Sequence, residues 1–89
     1  MQRTLFWQFF GPDSGRTAAH FHEHLLEFLV RSRLDALETG VIGFPGQGLV
    51  FGSFDGSASL VVERALRPKG GIDGGLPDDL RAAFDTAQG

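Results

Sequence analysis

Three histidines and two glutamates lie within residues 20–27, and His20, His22, Glu23, His24 and Glu27 are the side chains of this chain best suited to chemistry. On a helix that advances about 100° per residue, His20, Glu23, His24 and Glu27 share one face at i, i+3, i+4 and i+7. Two imidazoles and carboxylates so placed could meet one divalent ion, and Zn²⁺ suits that donor set. The same residues also read as an ordinary solvated face. Glu27 to Arg31 and Arg31 to Asp35 continue it as i,i+4 charge pairs. His22 points elsewhere, toward the apolar arc of the helix. It fits a buried neutral imidazole bonded to a backbone carbonyl or to a serine such as Ser53, or else a ligand pocket shared with Trp7 and Gln8. Neither a nucleophile nor an orienting acid can be assigned to it, so no catalytic residue is expected.

The string His20-Phe21-His22-Glu23-His24 contains the His-x-x-Glu-His spacing of inverted zinc peptidases. With Ala19 before it and Leu25 after it, the string resembles the motif of the pitrilysin and mitochondrial-processing-peptidase family, over roughly a tenth of the chain. The resemblance implies His20 and His24 as zinc ligands and Glu23 as the general base. That family takes its third protein ligand from a glutamate far downstream in a much larger domain. Here only Glu38 and Glu63 follow Glu27, so a peptidase is not the expected function.

The histidines need a helix to align them. Apolar residues recur at helical spacing from an N-cap at Asp13 or Ser14 to about Leu37, with Gly40 as the terminator. Ala18, Phe21, Leu25, Phe28, Leu29 and Ala36 form the buried side, widened by Ala19, Leu26, Val30 and Leu37. Before this helix, residues 4–10 are rich in aromatics and end at Gly11-Pro12, which predicts a strand closed by a turn. After it come strands at 41–44 and 49–54 around Pro45-Gly46-Gln47-Gly48. The Asp55-Gly56 pair then signals a hairpin into a third strand over 58–66. Residues 68–75 read as a flexible glycine-rich connection. Pro77, Asp78 and Asp79 open a final helix with a narrow apolar stripe of Leu80, Ala83, Phe84 and Ala87. The expected fold is one α+β domain over residues 1–89, a two-layer sandwich in β-α-β-β-β-α order. Its sheet is mainly antiparallel, with the long helix on one face.

Composition narrows the function. With 89 residues and 42% hydrophobic content there is room for one core and little surplus for a deep internal pocket. The absence of cysteine removes disulfides, thiolate metal ligation and thiol catalysis. Lys69 and seven scattered arginines against a net charge of −3 give no stripe for a phosphate backbone, so no nucleic-acid partner is expected. The element order also resembles a double-stranded-RNA-binding domain, whose last helix begins with basic residues where this chain has Asp78 and Asp79. The glycines of residues 43–48 lack the Gly-Lys-Ser/Thr ending of a phosphate loop. No apolar run is long enough for a membrane span and no cleavable leader is evident, so no membrane partner and a cytoplasmic location are expected.

What remains is an aromatic excess. Nine phenylalanines and one tryptophan crowd a small chain. On the first strand Leu5, Trp7 and Phe9 alternate with Phe6 and Phe10, which would bury both faces. If helices cover the first set, Phe6 and Phe10, joined by Val50 and Phe54 of a neighbouring strand, form an exposed apolar patch. Such patches mark interfaces, most often two-fold ones. The expected function is thus a non-enzymatic interaction or self-assembling module acting as a homo-oligomer or on a protein partner, with no cofactor. The alternative is a metal- or ligand-binding protein using the histidine face with Zn²⁺, or the pocket near His22 and Trp7.

Overall fold

The structure is a computed structural model that describes residues 1–88. Its elements are β1 (Gln2–Phe10), α1 (Ser14–Arg31), β2 (Glu38–Phe44), β3 (Gln47–Asp55), α2 (Gly56–Leu66), β4 (Gly70–Asp73) and α3 (Asp78–Gln88). The sheet runs β2-β3-β1-β4 with every neighbour antiparallel. The mixed α+β class and the antiparallel sheet match the sequence reading. Through β4 the order is β-α-β-β-α-β, the split β-α-β or ferredoxin-like arrangement. The strand missing from the middle of each β-α-β unit is supplied by the other unit. Helix α3 is an addition on the far side.

Register fixes which residues share a face. Trp7 lies opposite Val50 and Leu5 opposite Gly52, while Phe6 lies opposite Phe51 and Gln8 opposite Leu49. The first face carries Leu5, Trp7, Val50 and Phe54, packed against Ala18, Leu25 and Leu29 of α1 and Val62 of α2. Trp7 and Phe9 both lie against Phe21 of α1, with ring centroids 5.1 and 5.5 Å apart. On the second face Ile42, Leu49 and Phe51 meet Leu76, Leu80, Ala83 and Phe84. Phe84 stands edge-on to Phe51 at 5.1 Å. It rests on Gly40, where an added Cβ would come within 2.5 Å of the Phe84 ring. The Arg81 guanidinium clamps α3 to β2 through a two-pronged ion pair with Glu38, one prong being Nη1 to Oε2 at 2.6 Å.

Three local expectations are corrected. Helix α1 ends at Arg31, well before Leu37. Arg33 adopts a left-handed φ of 55°, and bonds from Arg33 N–H to Val30 O and from Leu34 N–H to Leu29 O close the helix as a Schellman motif. Arginine there gives no compositional sign of a stop, and Gly40 is instead a β2 residue. Residues 56–66 are helix α2, not a third hairpin strand. Ser59 and Val62 are buried while Leu60 and Val61 are exposed, so the operative spacing is helical and Asp55-Gly56 starts a helix. Residues 70–73 are edge strand β4 rather than loop. They pair with β1 in a register from Arg3↔Asp73 to Phe6↔Gly70. Ala87, expected on the stripe of the last helix, lies outside the described side chains.

Candidate functional site

The histidine face is where helix geometry placed it, on the exposed side of α1. His24 Nε2 and His20 Nε2 are 2.9 Å apart with the rings edge-on. His24 Nδ1 lies 3.3 Å from Glu27 Oε1. If Nδ1–H donates to that carboxylate, the His24 Nε2 lone pair accepts the N–H of His20. Glu23 is exposed and does not join this chain of contacts. Among the described residues no group of three or more His, Cys, Asp or Glu gathers closely enough to enclose an ion. His20 and His24 thus form a paired imidazole contact on the exposed face of α1, with Glu27 behind one ring.

His22 is half-buried, and its Nε2 is hydrogen-bonded to Thr39 Oγ1 on β2 at 2.9 Å. Burial pushes its pKa below 6.5, with the Glu23 carboxylate acting in the opposite sense. The hydroxyl partner is Thr39 rather than Ser53, because Ser53 faces the other side and bonds Thr4 Oγ1 at 2.7 Å. The pocket expected around His22, Trp7 and Gln8 does not assemble. Trp7 is enclosed and its indole N–H donates to Leu66 O at 3.1 Å. Gln8 is the next residue of an extended strand and opens on the opposite face.

The aromatic patch exists in altered form. Phe10 is 69% exposed and Phe44 38% exposed. Both lie opposite Gln47, so Phe44, Gln47 and Phe10 make one row across β2, β3 and β1 on the second face. Val50 and Phe54 do not belong to it. They are fully buried on the first face, one residue out of phase with Phe6 and Phe10, and a one-residue shift in a strand exchanges faces. Helix α3 covers the Ile42 and Phe51 end of the second face and stops short of this row. At the boundary lies an open cleft of about 420 Å³, walled by Phe6, Phe44, Leu49 and Leu80 and edged by Gln8, Gln47 and Lys69.

Of these residues, Phe44 and Gln47 carried a readable signal. A two-residue loop at Pro45-Gly46, with Gly46 at a φ of 72°, sets them opposite each other. Leu80 and Lys69 carried none, since α3 and the β4 edge reach the cleft only through the tertiary fold.

Among the described residues no helix is long and apolar enough to cross a membrane. Comparison of the chain with protein-family models, curated proteins and solved structures gives no significant match. The ferredoxin-like arrangement rests on topology alone, and that arrangement hosts many unrelated functions.

Proposed function

We propose that this chain is a protein-interaction module that self-associates through the uncovered end of its second sheet face. The observation that carries the reading is the row Phe44, Gln47 and Phe10, two large rings left in water beside a core that α3 only half covers. The other large exposed apolar residues, Leu26 and Val30 on α1, Leu60 and Val61 on α2, and Met1 and Leu37 outside the helices and strands, carry no ring. Aromatic rings on a sheet supply large contact area at low entropic cost, and a two-fold axis lets one such row cover another. Sedimentation velocity over a concentration series tests it. The wild type is expected to show a dimer that dissociates on dilution, and Phe10→Ser with Phe44→Ser to remain monomeric. A monomer at all concentrations, or a dimer indifferent to both substitutions, contradicts the reading.

A second reading is supported by the 2.9 Å His20–His24 contact. Two imidazoles one turn apart chelate first-row divalent ions, with solvent in the remaining positions. Isothermal titration with Zn²⁺ is expected to lose at least tenfold in affinity for His20→Ala or His24→Ala, and nothing for His22→Ala. Equal affinities across the three variants contradict it.

A further inference from the structure

We propose that the cleft between the β1–β3 surface and α3 binds a small apolar molecule carrying one carboxylate. Its walls are two phenyl rings and two leucines, Phe6, Phe44, Leu49 and Leu80. A volume of about 420 Å³ lies within the range of small-molecule sites, which pair apolar walls with a few polar groups that fix orientation. None of the polar side chains in the lining is a carboxylate. Gln8 and Gln47 bring amide donors, and Lys69 is the single charged residue among the lining ones. The chain as a whole carries eleven acidic residues and a net charge of −3, so a lining with an ammonium and no carboxylate departs from the average surface in the direction that favours an anion.

The backbone holds the cationic residue at the rim. Lys69 N–H donates to Phe6 O at 2.8 Å, one residue out of phase with the Phe6↔Gly70 pair that ends β4. This bulge-like turn fixes the Lys69 backbone at the edge of β1, and Lys69 is one of the residues lining the cleft. Lys69 has no ion pair among the described residues, so its charge is available to a ligand. Gly70 follows with open space where a Cβ would stand, which keeps the mouth clear on that edge. An aromatic or medium-chain aliphatic acid would lay its body between Phe6, Phe44, Leu49 and Leu80, with its carboxylate at the Lys69 ammonium and the two amides. Phe44 and Gln47 belong both to the cleft and to the exposed row, whereas Phe10 belongs to the row alone, so Phe10→Ser is the substitution that separates ligand binding from self-association.

The test is an amide-shift NMR titration with decanoate, 1-decanol and decylamine, each below its aggregation concentration, on the wild type, Phe10→Ser and Lys69→Glu. Decanoate is expected to shift Gln8, Gln47, Lys69 and Gly70, and to bind at least fivefold tighter than decanol, with decylamine weakest. Lys69→Glu should abolish the preference for decanoate over decanol, and Phe10→Ser should keep it even where association is lost. Three results each overturn the proposal: equal affinity for decanoate and decanol, decanoate binding unaffected by Lys69→Glu, or no shifts at the cleft. Binding that vanishes in Phe10→Ser also overturns it, because the site would then belong to the assembled interface.

Discussion

The two faces of the sheet draw on the same strands and reach different ends. On the first, two helices cover Leu5, Trp7, Val50 and Phe54, and these side chains are almost completely withdrawn from water. On the second, one helix of 11 residues covers Ile42, Leu49 and Phe51 and leaves Phe10 and Phe44 in solvent. The first face is also closed in its polar groups, with the Trp7 indole donating to Leu66 O and His22 bonded to Thr39. The second is held at its covered end by one ion pair, Arg81 to Glu38, and by the fit of Phe84 over Gly40. The two faces thus differ within one sheet, with a closed core on one side and two partly uncovered aromatic rings on the other, where the proposed interface lies.

The sharpest way to break this comparison is to truncate an aromatic on each face. Phe54→Ala should cost about 3–5 kcal/mol in urea unfolding, as cavities in tight cores do. Phe10→Ser, measured on monomer, should stay within about 0.5 kcal/mol of wild type. Similar costs for the two would dissolve the distinction. Next in size is Gly40→Val, which drives a side chain into Phe84 and Phe51 and should cost about 1–3 kcal/mol by overpacking. Hydrogen exchange should quicken in α3 and leave α1 protected.

Acid sharpens the contrast further. The hydrogen bond and charge of Arg81 hold the Glu38 carboxyl below its ordinary 4.5, against an opposing effect of burial. A depressed carboxylate stabilises the fold above 4.5 and ceases to do so as pH falls through the folded value. The stability difference between wild type and Glu38→Gln should therefore shrink on acidification below about pH 4.5, with α3 the first element to lose protection. On the first face His22 has the same sign in a higher pH window, and burial rather than an ion pair is the cause. Its folded pKa lies below 6.5, so the unfolded chain binds the proton more readily and stability declines as pH falls from 6.5 toward the folded value. His22→Gln should flatten that decline in urea titrations. A cost between those of Gly40→Val and Phe10→Ser is expected for Thr39→Val, about 0.5–1.5 kcal/mol, from loss of the hydroxyl partner of His22.

Much of this fold was legible because local patterns determined it. The aromatic run of β1, the amphipathic repeat of α1 and the Pro77-Asp78-Asp79 start of α3 each announce an element within a few residues. The errors arose where a distant partner decides. Leu60 and Val62 alternate as a strand would, yet the burial of Ser59 and Val62 against β1 and β3 makes the segment a helix. Gly70 to Asp73 has almost no strand propensity and becomes β4 because β1 offers it an edge. The site followed the same rule. His20, His24 and Glu27 meet through helix geometry and could be grouped from spacing. Phe6 and Phe10 were rightly placed on the second face, but the phase of β3 against β1 depends on a non-local register, so Val50 and Phe54 were assigned to the wrong side of the sheet.

The central claim is that the row Phe44, Gln47 and Phe10 is covered when two copies meet. The most direct measurement is a concentration series of ¹H–¹⁵N spectra on the wild-type chain. Amide shifts that move with concentration at Phe10, Phe44 and Gln47, and stay fixed at Leu26, Val30, Leu60 and Val61, are the predicted result. Concentration-dependent shifts on α1 or α2, with the sheet residues unmoved, would contradict it.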